Sequence, residues 1–224
     1  MKMKKSITLI VIALLSSISL GLRAQYVAFG VYGEPQFSWF TSDTKAFSSD
    51  GTIFGFNAGF SLEKYFADRY AITSGASIAN LGGAIIFNNV GDSIVTLDDV
   101  YNINQGTSVK IKGQYISIPL GLKFKTNEIG YTTFYADLGV KANLRLKGYT
   151  WIDDLAVDRE VLEKSQMQFG YFSYYIGAGV QYSLGGPSSI LAGLTFSNGL
   201  THPLQNAYSR INLGTFGLKV GLVF

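Results

Sequence analysis

Few residues in this chain have chemistry to offer, and they fall into three groups. His202 is the single histidine, in Thr201-His202-Pro203, with Ser197 and Ser209 close to it in sequence. A Ser-His-Asp site needs the imidazole within hydrogen-bond reach of a serine and a carboxylate; one histidine without a nucleophile motif reads as a solvated loop residue. The adjacent acids Asp98-Asp99 and Asp153-Asp154 carry the oxygens calcium prefers, but calcium takes about six to eight of them, so these pairs also read as solvated. Cysteine is absent, which excludes disulfides, thiolate metal sites, a cysteine nucleophile and a lipid-bearing cysteine. No catalytic residue, metal or cofactor is assigned.

The third group is a set of charges: Glu34, Glu63, Lys123, Asp137, Lys141, Arg145 and Lys219. Each falls on the less apolar side of a segment whose other side is apolar. Burying a charge without a partner costs several kcal/mol, so the set must pair across neighbouring segments or stand in water. Asp137, Lys141 and Arg145 are four residues apart, about 13 Å at ~3.3 Å per strand residue, too far to pair with one another. Their chemistry is that of an ion filter or of a plug.

The segments that carry these charges alternate with a period of two, the mark of a strand. In the last fourteen residues Phe216, Leu218, Val220, Leu222 and Phe224 form one face, and Thr215, Gly217, Lys219 and Gly221 the other. The same pattern runs through 26–40, 53–66, 113–125, 131–147 and 169–184, with Phe54, Phe56, Ala58, Phe60 and Leu62 at successive outward positions of the second. Residues 70–87 and 190–197 complete a set of eight strands, the first of them with weak alternation. Pro119 lacks a ladder N–H and marks a bulge or a locally unpaired position. No helix-forming segment remains to cover the apolar faces. The economical arrangement is all-β: an eight-stranded antiparallel up-and-down transmembrane β-barrel with its apolar side in lipid. Eight strands leave an interior just wide enough for side chains, which favours a plug over a filter.

Connections alternate in length: long at 41–52, 88–112, 148–168 and 198–210, short at 67–69, 126–130 and 185–189. Outer-membrane barrels have short periplasmic turns and long outer loops, and an even strand number places both ends of the barrel on the short-turn side. The end of 148–168 is expected to form a short surface helix. Tyr26, Trp39, Phe40, Phe66, Tyr70, Tyr131, Tyr149, Trp151, Phe169 and Tyr171 lie near strand ends, as interfacial aromatic girdles do.

Residues 1–24 read as a cleaved signal peptide: a basic head at Lys2, Lys4 and Lys5, an apolar run over 7–15, and Ala24 before Gln25. Removing them takes four of the 18 basic residues and none of the 15 acidic ones, leaving 14 against 15. The mature chain, 25–224, is therefore near neutral and has no charge basis for binding nucleic acid. It reads as one domain.

Several stretches resemble the Bacteroidetes outer-membrane β-barrel family that includes the PorT-like proteins. They are Leu62-Glu-Lys-Tyr-Phe-Ala-Asp-Arg-Tyr70, Tyr115-Ile-Ser-Ile-Pro-Leu-Gly-Leu-Lys123, Gly177-Ala-Gly-Val-Gln-Tyr182 and the alternating C-terminus, with Ser117 where the family usually has an acid. The resemblance implies an eight-stranded barrel in the outer membrane and no activity. The last strand, Phe216, Leu218, Val220, Leu222 and Phe224, is also similar to the signal read by the barrel-assembly machinery. The expected partners are outer-membrane lipid, that machinery during biogenesis, and an extracellular or periplasmic protein. The leading expectation is a closed, non-enzymatic scaffold acting through loops 88–112 and 148–168 in adhesion, docking or envelope organisation. A narrow porin-like channel and an outer-membrane lipid-modifying enzyme are the alternatives.

Overall fold

The computed structural model describes residues 26–89, 92–205 and 210–224; the signal peptide read over 1–24 and the candidate Ser209 lie outside these. Twelve strands follow one another: β1 (Val27–Ser42), β2 (Phe47–Ser49), β3 (Thr52–Ala67), β4 (Tyr70–Phe87), β5 (Asp92–Val95), β6 (Val100–Ile103), β7 (Ser108–Lys125), β8 (Thr132–Ile152), β9 (Val157–Val161), β10 (Gly170–Ser183), β11 (Ser189–Gly199) and β12 (Ile211–Val223). Eight of them, β1, β3, β4, β7, β8, β10, β11 and β12, pair antiparallel in a closed ring. β12 returns to β1 through Gly30↔Val223 and Phe37↔Phe216, and β8 pairs β10 through Ser173↔Lys141. The ring has no free edge strand, so the wall satisfies its backbone within the sheet except at local gaps such as that above Phe56↔Asn80, where β3 and β4 part.

Alternation decides which side chain meets lipid. Val27, Phe29 and Val31 on β1, Phe54, Phe56, Phe60 and Leu62 on β3, and Phe216, Leu218, Val220 and Leu222 on β12 are exposed on the outside. Their neighbours Ala28, Glu34, Gln36, Asn57, Glu63, Thr215 and Val223 are buried inside. The wall lapses at one proline: Pro119 pairs with Lys141 on β8, but toward β4 the register skips from Ser74↔Leu120 to Ser77↔Ser117. The Ser74 hydroxyl bonds the Pro119 carbonyl there at 3.2 Å. Short turns join the strands at one end, and the β10–β11 turn uses Gly185 and Gly186 at φ 86° and 74°, where side chains are unfavourable.

At the other end the connections are folded. β8 runs for 21 residues against 11 for β11, and the excess carries β9 back along its own tip, Tyr149↔Val161. β2 pairs the tip of β4, Phe47↔Phe87. β5 and β6 form a hairpin that docks on β9 through Leu97 N–H to Val161 O (2.9 Å) and Glu163 N–H to Val95 O (3.0 Å). Thus the segment 88–112 is a hairpin plus the start of β7, and 148–168 continues β8. The surface helix expected at the end of 148–168 is a single 3₁₀ turn, Lys164–Gln166.

These tips enclose a hydrophobic core. Ile94 and Ile103 from the hairpin, Val157 and Leu162 from the β9 segment, and Met167 and Leu204 meet Phe40, Ile85, Phe87, Ile111, Tyr115, Ile152, Tyr171 and Leu213 from the barrel. Each fully buried aliphatic or aromatic side chain contributes ~1.5–3 kcal/mol. Two residues expected in the aromatic girdle belong to this core instead: Phe40 is 2% and Tyr171 4% exposed. Both lie on the inward parity of their strands, which decides over their nearness to a strand end.

Candidate functional site

Inside the wall the residues stack in four layers. At the short-turn end Ala28, Tyr65, Ala71, Tyr135, Leu191 and Val223 form a small apolar cluster. Next comes a charged layer, then a layer of hydroxyls and amides, and last the apolar core beneath the folded tips.

The charged layer is centred on Glu63, only 2% exposed. Its carboxylate accepts hydrogen bonds from the Lys123 ammonium and the Tyr65 hydroxyl (2.6 Å), and Lys125 stands 3.5 Å away. Four lysines lie over tyrosine rings: Lys123 over Tyr135 at 4.5 Å, Lys125 over Tyr65 at 4.8 Å, Lys141 over Tyr175 at 5.0 Å and Lys219 over Tyr32 at 4.3 Å. The π faces attract these cations where carboxylates are too few. Glu34 accepts from Asn57 Nδ2 at 2.7 Å and from the Thr195 hydroxyl, both neutral donors. Asp137 faces Lys123 across β7–β8, and its Oδ1 has no hydrogen-bond partner among the described residues.

Glycine makes the room for the tyrosines. Gly121 pairs with Gly139, and a Cβ on Gly121 would lie 2.3 Å from the Tyr175 hydroxyl. Gly179 pairs with Gly193, and a Cβ on Gly193 would lie 2.1 Å from the Tyr135 hydroxyl. Two cross-strand glycine pairs thus let two phenols lie flat against the wall, an arrangement that also shields the bare backbone. What remains between Tyr32, Glu34, Asp137, Lys141, Tyr175 and Lys219 is a cavity of about 40 Å³, room for roughly one to three waters. In the layer above, Ser117 donates to Asn143 Oδ1 (2.6 Å) and Asn143 Nδ2 to Ser173 Oγ (3.0 Å), leaving a void of about 10 Å³.

The seven charges, expected to pair across strands or stand in water, divide among several arrangements. Glu63 and Lys123 are joined directly, Lys141 and Lys219 are held by tyrosines, and Glu34 has amide and hydroxyl donors. Arg145 is apart from all of them: its guanidinium donates to the carbonyls of Met167 (2.7 Å) and Lys164 (3.2 Å). A register shift at Gln114/Tyr115 brings Arg145 to the level where the interior turns apolar, so it fastens the tip segment. Sequence reasoning missed Lys125, on the same parity as Lys123, and the inward Tyr32, Tyr65 and Tyr175; the signal was inward tyrosine beside inward glycine on neighbouring strands.

The other candidates stay separate. Ser197 faces the lumen and is buried, His202 Nδ1 has no hydrogen-bond partner among the described residues, and no hydrogen bond joins the two. Asp153 pairs with Lys110 at 3.0 Å, while Asp99 Oδ1 accepts from the Val100 N–H in the hairpin turn (2.7 Å). No three metal-ligating side chains gather among the described residues.

A family described as outer membrane protein beta-barrel domain matches residues 16–208. No curated protein matches the chain. Among solved structures the chain is similar to Neisserial surface protein A, with 12% identity, 87% of this chain and 97% of that one covered, and a TM-score of 0.45. It is also similar to Ail, the attachment invasion locus protein of Yersinia pestis, solved with a heparin analogue (16% identity, 88% and 99% covered, TM-score 0.42). The outer membrane protein OprG of Pseudomonas aeruginosa is a third (11% identity, 89% and 94% covered, TM-score 0.43).

Proposed function

The chain belongs to the outer membrane protein beta-barrel domain family, and from that premise we propose that this outer-membrane protein is a closed, non-catalytic scaffold that presents its folded tips for docking at the cell surface. The observation that carries this reading is the core at the long-loop end. Ile94, Ile103, Leu162, Met167 and Leu204 from the connections are each at most 5% exposed and pack on the barrel's own Ile85, Ile111 and Leu213. Loops without a task at a fixed surface have no need of a shared core; these are held in one shape, as a recognition surface requires. Below them the charged layer and the amide layer leave cavities of about 40 and 10 Å³, room for a few waters.

The likeness of the Tyr115–Lys123 segment to Bacteroidetes PorT-like barrels supports placing the chain near them, with no secretion role attached. The outward Phe216, Leu218, Val220, Leu222 and Phe224 support recognition by the barrel-assembly machinery, and Phe224→Ser is expected to slow assembly.

Conductance in a planar bilayer tests the closed state. The mature protein is expected to be silent. Lys141→Ala with Arg145→Ala, which empties part of the lumen and unfastens the tip segment, is expected to give intermittent openings. A steady, ion-selective current from the unaltered protein would overturn the reading in favour of a narrow channel.

A further inference from the structure

Above Phe56↔Asn80, the last pair that joins β3 to β4, the two strands part, because the tip of β4 turns to β2. The gap opens a cavity of about 380 Å³ on the outer side of the wall, lined chiefly by Phe54, Phe56, Lys112, Tyr149, Trp151 and Arg159. Phe54 and Phe56 are 57% and 45% exposed and continue the lipid-facing rows of β3. Lys112 and Tyr149 stand opposite each other on β7 and β8, with the exposed Leu146 three residues back along β8, nearer the bilayer centre. The cavity therefore spans the boundary between the apolar belt and the outer headgroup layer, the depth at which tyrosine and tryptophan settle.

Its two cations are held in place and left without an acid. Lys112 Nζ donates one hydrogen bond, to the Phe54 carbonyl at 2.8 Å, and the other two ammonium protons remain available. Arg159 lies over the Tyr149 ring at 5.0 Å, a stacking that fixes the plane and frees its edge donors. Neither forms an ion pair among the described residues, whereas the neighbouring Lys110 is neutralised by Asp153. Arg159 also has φ of 53°, a left-handed backbone that a non-glycine residue adopts against its preference; strain of this kind gathers where a side chain is aimed.

We infer that this cavity binds the phosphorylated headgroup of an outer-leaflet glycolipid. The phosphate lies between Lys112 and Arg159, whose fork of donors matches phosphate oxygens, and an acyl chain runs down over Phe54 and Phe56. The complementarity is in both parts: two unneutralised cations above and bare phenylalanine below suit an amphiphile with an anionic head, and suit neither an uncharged lipid nor a soluble anion.

The test uses the folded mature protein in phosphatidylcholine vesicles doped with lipid A or with the same lipid A stripped of phosphate. A Trp39→Phe background makes Trp151 the reporter. Lipid A is expected to shift the Trp151 emission saturably; dephosphorylated lipid A and millimolar inorganic phosphate are expected to leave it unchanged. Lys112→Gln with Arg159→Gln should weaken the response at least tenfold, Lys112→Arg should retain it, and Lys110→Gln should leave it as it was. Heat-dependent migration on a gel confirms that each variant is a closed barrel. Equal response to dephosphorylated lipid, or to free phosphate, would overturn the inference. So would a loss from Lys110→Gln as large as that from Lys112→Gln, which would mark diffuse attraction to an anionic surface.

Discussion

Below the level of Ser117 and Asn143 the barrel is filled by charges and phenols; above it, by apolar side chains of the strand tips and of the connections together. Both halves are equally closed, yet they resist change differently. The lower half relies on pairing: Glu63 holds Lys123, Lys125 and Tyr65 at once, and each member is buried only because the others are there. The upper half relies on area, which is non-directional and spread over many residues. A plug of pairs fixes one arrangement of the wall, while a core of area can be assembled from loops that the barrel itself does not specify.

The largest effect is expected where one partner is removed from the lower half. Glu63→Gln leaves the Lys123 ammonium at 3% exposure with no carboxylate in contact, and breaking a buried pair this way costs ~3–5 kcal/mol. Lys123→Met costs less, because Lys125 and Tyr65 still serve Glu63. Glu63→Met with Lys123→Met together is expected to recover most of the loss, since Lys125 at 14% side-chain exposure can turn toward the open end. Urea titration of the protein in vesicles measures all three; a double variant as weak as Glu63→Gln would show that the lower half works by shape and not by charge pairing.

Phe87→Ala sharpens the comparison from the other side. Phe87 is fully buried and meets Phe47 edge to face at 5.2 Å, so the cavity costs ~3–5 kcal/mol. That cost is expected to be local, because the tips can open without parting the wall. Hydrogen exchange should quicken at Phe87 and Asn88, whose amides bond Thr107 and Ala46, and stay slow along the β1–β12 ladder. Uniform acceleration would mean that tips and wall unfold as one. A smaller step is Gly177→Ala: the new methyl would come 2.0 Å from Asp137 Oδ1, and displacing that carboxylate is expected to cost ~1–3 kcal/mol in the same urea titration.

The wall is legible in the sequence because lipid imposes one rule on every second residue: Phe54, Phe56 and Phe60 have no other reason to recur at that spacing. The short and long connections are legible for the same reason, as gaps in the rule. The upper core is not. Ile103 and Met167 stand between polar residues, Ile94 and Leu162 each have one valine beside them, and only hairpin pairing and the docking of β5 on β9 bring the four together. In the charged layer, parity places Glu34, Glu63, Lys123 and Asp137 inside, but it says nothing of height, and height is what sends Arg145 to the carbonyls of Lys164 and Met167. Nor does it reveal that tyrosines hold the lysines, since that depends on glycines facing each other from different strands.

The smallest expected effect lies at the outermost contact of the upper half. Tyr101 on β6 donates to Glu160 Oε1 at 2.6 Å, and Thr96 donates to Oε2 at 2.8 Å, tying the hairpin to β9. The hydrogen bond to Glu160 is the main reason the Tyr101 phenol is pushed up to about 12, with burial and the negative charges of Glu160, Asp99 and Asp98 adding to it. A phenol whose folded value is raised stabilises the docked hairpin fully below its ordinary value near ~10. That contribution fades as pH rises from there through about 12. Exchange or proteolysis at the β5–β6 turn should therefore quicken in that window for the unaltered protein. In Tyr101→Phe it should be modestly faster already at neutral pH and lack the alkaline step. A step that survives in the Phe variant would assign the alkaline loosening to another group, and the hairpin's hold on β9 would then rest on the Thr96 bond to Glu160, the Leu97 and Glu163 backbone bonds and the buried Ile94 and Ile103.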